Sequence, residues 1–208
     1  MTPRNSLSDA IALADWRRQV WAIYDAARAR TDDRAEAWRS WVAARDRLFR
    51  QHAQSPLKPG DRGEGLRFFP YQSALRFATE LEPLVGRSAE IIDLGDDGHL
   101  SLQAIARTRG LAPALGADLT LYALGGYGGG LFLPFRDATN GYATYGGGRY
   151  LLDTIKGADL GTEDSRLVLD FNFAYHPSCA HDERWVCPLA PEENTLPLAI
   201  VAGERLTS

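Results

Sequence analysis

The sequence predicts an α+β fold, an N-terminal helical hairpin packed on a mostly antiparallel β barrel or sandwich. Three observations lead there. Apolar residues recur at helical spacing over 7–51, they switch to a period of two from Leu66 onward, and a Pro/Gly-rich stretch separates the two regimes. Read as domains, residues 1–60 are a helical arm and linker and 61–208 a β-rich domain, the whole forming one folded unit.

In the arm, Leu13, Trp16, Val20, Ile23 and Ala27 fall on one stripe of a first helix, with Ser8 or Asp9 as its expected N-cap. Thr31-Asp32-Asp33 interrupts the pattern and can cap a second helix carrying Trp38, Trp41, Val42, Leu48 and Phe49. Tryptophans 16, 21, 38 and 41 read as packing anchors against the body, or as a face that pairs two copies. Residues 52–65, HAQSPLKPGDRGEG, read as a linker or surface loop.

Beyond it, Leu75/Phe77/Thr79/Leu81, Leu119/Leu121/Ala123 and Leu167/Leu169/Phe171 alternate with polar or small residues, as half-buried strands do. A last strand is expected over Leu196–Ala202. Turn signals at 95–98, 125–130, Asn140-Gly141 and 157–161 space these runs as hairpins.

The formal charge of −4 is unevenly spread. Residues 1–60 carry 11 Lys+Arg against 7 Asp+Glu, whereas 61–208 carry 12 against 20, so arm and body should attract each other. No Lys/Arg stripe with interleaved aromatics is present, and nucleic acid is not an expected partner. No apolar run approaches the ~20 residues of a membrane span. Asp9 and Asp15 interrupt any signal-peptide core, so a cytoplasmic protein is expected.

Chemistry-bearing residues concentrate in two blocks, LFLPFRDATNGYATYGGGRYL (131–151) and DFNFAYHPSCAHDERWVCPLAPEEN (170–194). Their glycines fit neither G-x-G-x-x-G nor a phosphate loop, so no nucleotide cofactor is expected. His176, Cys179, His181 and Cys187 could close round a tetrahedral zinc, although Pro177 and Pro188 restrict the wrap and no C-x2-C pair occurs. The two cysteines could instead form a disulfide in an oxidising compartment, or stay as reduced thiols. As a catalytic set, Cys179 would be the nucleophile and His176 or His181 its base, with Asp170 or Asp182 as orienting carboxylate.

The polar residues admit two readings. Arg149–Asp170 or Arg136–Asp137 could be ion pairs that fix loops together. Alternatively Asp137, Tyr145, Arg149, Asp170, Asn172 and Tyr175, walled by Trp185, could form a pocket in which Arg149 holds an anionic group. Glu192, Glu193 and Asn194 could complete it. The expected function is therefore small-molecule binding. A hydrolase using Cys179 or a bound metal is the first alternative, and a structural protein that forms a homodimer through its arm is the second.

Four strings carry a resemblance: F-x-D-x-T-x-G at Phe135–Gly141, T-Y-G-x-G-R-Y at Thr144–Tyr150, D-F-N-x-A-Y at Asp170–Tyr175 and C-P-L-x-P at Cys187–Pro191. With WRSWVAARDRLFRQHAQSPL (38–57), they make residues 38–204 similar to a bacterial and archaeal family known as domain of unknown function 1684. The resemblance implies no activity, cofactor or substrate. In many members of that family the positions of His176 and His181 hold asparagine, which argues against a required metal ligand or catalytic base there.

Overall fold

In the computed structural model the described residues are 6–95 and 98–206. Asp96 and Asp97, in the turn expected at 95–98, and the first five residues lie outside them. Helix α1 spans Leu7–Ala29 and α2 spans Arg34–Gln51. The cap of α1 is Ser6, ahead of the expected Ser8 or Asp9. Its hydroxyl accepts the Asp9 N–H, so Asp9 sits in the first turn, where its charge favours the helix dipole. Asp33 caps α2 by accepting the Glu36 N–H at 2.9 Å.

The strands are β1 (Arg67–Phe68), β2 (Arg76–Pro83), β3 (Glu90–Asp93), β4 (His99–Arg109), β5 (Thr120–Gly125), β6 (Gly130–Phe135), β7 (Arg149–Asp153), β8 (Thr162–Glu163), β9 (Arg166–Asp170) and β10 (Glu204–Arg205). A short helix α3, Ala112–Leu115, follows β4. Eight strands form one antiparallel sheet in the order β7-β6-β5-β4-β2-β9-β8, with β3 added on β4, and β1 pairs with β10. Strand β2 turns the corner: Arg76–Thr79 pair with β9, while Glu80–Pro83 pair with β4. The sheet thus curls into a half-barrel, which decides between the barrel and sandwich readings.

The curl has an apolar filling on each face. Inside it, Leu121, Leu133, Phe135, Leu151, Leu169 and Phe171 meet Leu111 and Leu115 around α3 and Leu196, Ile200 and Ala202 from the C-terminal segment. The other face presents Tyr122, Leu124, Phe132 and Tyr150 to the helical hairpin, together with Phe173 and Tyr175. Trp41 is 1% exposed and packs its ring 4.9 Å from Phe173. Trp38 donates its indole N–H to the Asn172 carbonyl, and Trp16 packs on Phe49. Trp21 stays 48% exposed, lying over Gly157, where a Cβ would meet its ring at 2.8 Å. The arm's charge excess is also put to use. Arg28 donates to the Asp159 carbonyl, Arg34 pairs with Glu163 and Arg45 with Glu204.

Two expectations are corrected. The 52–65 stretch is no free linker, because Ser55, Pro56 and Leu57 are buried. Ser55 donates to the Phe49 carbonyl at the end of α2 and accepts from Leu57 N–H, which ties the loop down. The segment Leu196–Ala202 forms no strand. It meets the body through single main-chain bonds, such as Leu196 N–H to Arg136 carbonyl, and the Ile200 and Ala202 carbonyls go to an arginine side chain.

Gly203 holds φ +76°, and a Cβ there would lie 2.5 Å from the Ala174 carbonyl oxygen and 2.8 Å from that of Phe171. Gly86 has the same φ of +76° with open space around it. Gly86→Ala should therefore cost only the left-handed backbone penalty, about 1–2 kcal/mol. Gly203→Ala must also push backbone apart and should cost on the order of 3–5 kcal/mol. Paired urea melts of the two variants check this.

Candidate functional site

The residues named from the sequence as one pocket divide into separate polar knots. In the first, β7 begins at Arg149, whose side chain points inward and is 0% exposed, as is that of Asp137. One terminal nitrogen donates to Asp137 Oδ2 at 2.8 Å and to the Ile200 carbonyl at 2.9 Å; the other donates to the carbonyls of Ala202 and Glu204. Asp137 Oδ1 accepts from Thr139 N–H and Oγ and from Ile200 N–H. The ion pair is thus Arg149–Asp137, replacing both expected pairings, and the guanidinium is fully buried, with Nε its one donor without a partner.

The second knot surrounds Asn172, in the 3-10 turn Phe171–Phe173 that follows β9. Its amide exchanges two bonds with the Gln72 backbone, at 2.7 and 2.8 Å, and also donates to Asp170 Oδ1 at 2.7 Å. Arg76 lies 3.9 Å from Asp170. Burial pushes the Asp170 carboxyl up to about 6 against the lowering pull of Asn172 and Arg76. Asn194 makes a third knot, accepting the Thr120 N–H and donating to the carbonyls of Thr120 and Pro134, so it clamps β5 to β6. Tyr175 is buried beneath Arg45, and Trp185 packs against the Arg184 guanidinium.

The sequence matches, over residues 62–205, the family described as "Protein of unknown function (DUF1684)". The chain belongs to the DUF1684 family. A similar solved structure is the solution NMR structure of an uncharacterized protein from gene locus rrnAC0354 of Haloarcula marismortui. It shares 32% identity with a TM-score of 0.56, covering 85% of this chain and 98% of that one. No curated protein matches the sequence.

In this DUF1684 chain the two histidines meet neither cysteine but Glu204, a residue absent from the sequence-based candidates. His176 Nδ1, His181 Nε2 and a Glu204 oxygen lie within 4.8 Å of one another. The set does not suit a metal. His176 Nε2 accepts the Tyr145 N–H at 3.2 Å, so its proton sits on Nδ1, facing Glu204 at 3.6 Å, and no lone pair is offered there. Arg45 already supplies the positive charge, donating to Glu204 Oε2 at 3.1 Å. Burial opposes ionisation of Glu204, but Arg45 and the imidazoles outweigh it and hold the carboxyl well below its usual range. Burial also lowers His176 to about 4. Glu204 is recognisable only in the fold, since nothing in its sequence neighbourhood sets it apart.

The cysteines are unbonded, half-buried and adjacent. The neighbouring Cys179 holds the Cys187 thiol below its ordinary value against burial, and Lys156 adds to this. Cys179 is pushed up by Cys187 and by burial, and the Tyr145 hydroxyl is its other neighbour. A separate open groove of about 580 Å³ is lined by Tyr122, Glu90, Pro191, Glu192 and Glu193.

Two predictions test the knots. Arg149→Lys keeps one charge but cannot serve Asp137 and three carbonyls together, and should lower stability by about 3–5 kcal/mol in denaturant melts. The pH dependence should separate His176 from Asp170. His176 is neutral when folded, with a value of about 4, so stability rises as pH climbs from about 4 towards the ordinary imidazole value of ~6.5. Asp170, raised to about 6, keeps its proton when folded, so its contribution falls as pH rises from the ordinary carboxylate range to about 6. Asp170→Asn should steepen the rise in stability between pH 4 and 6. His176→Asn should turn it into a fall, each change being on the order of 1–3 kcal/mol.

Proposed function

We propose that this DUF1684 protein is a cytoplasmic small-molecule-binding half-barrel that takes an organic cation in the groove beside Tyr122. The groove carries the reading. Pro191 gives it an apolar surface, the largely buried Tyr122 on β5 reaches it with its hydroxyl, and Glu90, Glu192 and Glu193 supply carboxylates. The Tyr122 hydroxyl donates to Glu193, which fixes one of them. Arg87 acts on the same phenol from nearby, so the groove is not uniformly negative. Asn194 anchors the adjoining 3-10 turn, Glu192–Asn194, on β5 and β6, so the wall is held before any ligand arrives. An apolar surface flanked by carboxylates suits an amine on an apolar body.

Neither nucleic acid nor a metal forms part of this proposal. A homodimer through the arm would have to use the outward residues Leu7, Ile11 and Trp21, because Trp38 and Trp41 already pack against the body.

Calorimetric titration with phenethylamine, and with phenylacetate as the anionic counterpart, tests the reading. Saturable binding of the amine alone is expected. Glu193→Gln should weaken it about tenfold, the equivalent of ~1.4 kcal/mol. Equal binding of both probes, no saturation at millimolar concentration, or indifference to Glu193→Gln would remove it.

A further inference from the structure

Arm and body meet round a small cleft that is separate from the groove beside Tyr122. Arg28 from the last turn of α1, Arg34 from the first turn of α2, Arg76 from the start of β2 and Asp170 from the end of β9 line it over an apolar floor. Arg76 and Asp170 are register partners, so their side chains project on the same side of the sheet. Glu163 Oε1 accepts from Arg34 at 2.6 Å and from Arg76 at 2.5 Å, while Arg28 donates to the Asp159 carbonyl and to Asp25. Among the described residues nothing hydrogen-bonds to Arg34 Nε or to Nε and Nη1 of Arg76. Asp170 is the unusual member. It is 2% exposed, its Oδ1 takes both Asn172 bonds, and its Oδ2 takes none. Arg76 Nε stops 3.9 Å short of that oxygen, beyond hydrogen-bond range. A buried carboxylate oxygen without a donor is costly, and a guanidinium placed only to neutralise it would close the gap. The enclosed space is about 20 Å³, room for one water-sized group, and the cleft continues to solvent, where Arg28 and Arg34 are part-exposed.

We infer that this cleft binds inorganic phosphate in its monohydrogen form, the P–OH donating to Asp170 Oδ2 and the other oxygens accepting from Arg28, Arg34 and Arg76. The lining dictates the chemistry. Three guanidiniums against Glu163 and Asp170 leave a positive balance, which excludes a cation and favours an oxyanion. An oxyanion without a proton would set its own oxygen against Asp170 Oδ2, whereas hydrogen phosphate supplies the missing donor. A phosphate monoester loses its last proton with a pKa of ~6, so above neutral pH the free ion alone brings one. Only the P–OH has to enter the enclosed space, and the remaining oxygens stay among the arginines at the mouth. Glu163 holds two of those arginines until the anion arrives, and with its side chain 37% exposed it is free to turn away. The bound ion joins α1 and α2 to β2 and β9, and so pins the arm to the half-barrel.

The test is calorimetric titration of the full chain with sodium phosphate, sodium sulfate and glycerol phosphate, at about pH 8 where only the first still carries a proton. Phosphate should bind saturably at millimolar concentration or below, at least about tenfold tighter than either of the others. Arg34→Gln should weaken phosphate about tenfold, and Glu163→Gln, which removes the resident carboxylate, should tighten it severalfold. Asp170→Asn puts an amide where the acceptor stood and should bring sulfate within about threefold of phosphate. A far-UV spectrum checks that this variant folds; if it does not, the Arg34 and Glu163 variants, both at part-exposed positions, decide the matter. The assignment is overturned if phosphate fails to saturate by ~20 mM, if sulfate or glycerol phosphate binds the parent chain as tightly, or if phosphate binding ignores both Arg34→Gln and Glu163→Gln.

Discussion

An arginine sealed from water at the start of β7 sets the position of much else in this fold. A guanidinium is costly to desolvate, and its burial is tolerable only where its donors are met. Here Asp137 and the carbonyls of Ile200, Ala202 and Glu204 meet its two terminal nitrogens, leaving only Nε without a partner. These carbonyls lie two residues apart, and the left-handed turn at Gly203 (φ +76°) lies between the second and the third of them. The arginine therefore acts as a substitute neighbouring strand for the C-terminal segment. By fixing that segment it fixes Glu204, which in turn receives Arg45 from α2. One buried cation in the half-barrel thus determines where a second, in the arm, can dock.

The same logic explains which parts of the fold could be read from the sequence. Periodicity reports which face of an element is apolar, and it located both helices, β2, β5 and β9 without reference to partners. The segment 196–202 shows the limit. Its apolar run suggested a strand, but the chain bends at Pro197 and Leu198, and the Ile200 and Ala202 carbonyls were claimed by a side chain from far away in sequence. The polar knots have the same character. Asp137, Arg149, Asp170 and Asn172 stood out as residues needing partners, yet the choice of Asp137 over Asp170 for Arg149 depends on the curl of the sheet. Glu204 was invisible because a lone glutamate near a terminus ordinarily reads as solvated.

The location of reactive groups was legible, but their roles were not. Spacing placed His176, Cys179, His181 and Cys187 together as potential zinc ligands. The fold sends the histidines inward to a carboxylate that Arg45 already neutralises, and leaves the sulfurs to each other.

Burial also sorts the four strings that mark family membership. In the third, every residue from Asp170 to Tyr175 is buried, and Phe135, Asp137, Thr139, Thr144, Arg149 and Tyr150 of the first two are buried as well. Most of their polar groups are bonded to backbone or to one another, the Tyr175 hydroxyl and the Arg149 Nε being exceptions. The fourth string differs: Cys187 and Pro191 are half-buried and Leu189 is exposed. It supplies one sulfur to the thiol pair and one wall to the groove beside Tyr122. Membership in the family is therefore written mostly in residues that hold the half-barrel closed. Beyond the cleft at Asp170, chemistry has to be sought where the fourth string reaches solvent, on a loop held between the His176 and Asn194 anchors.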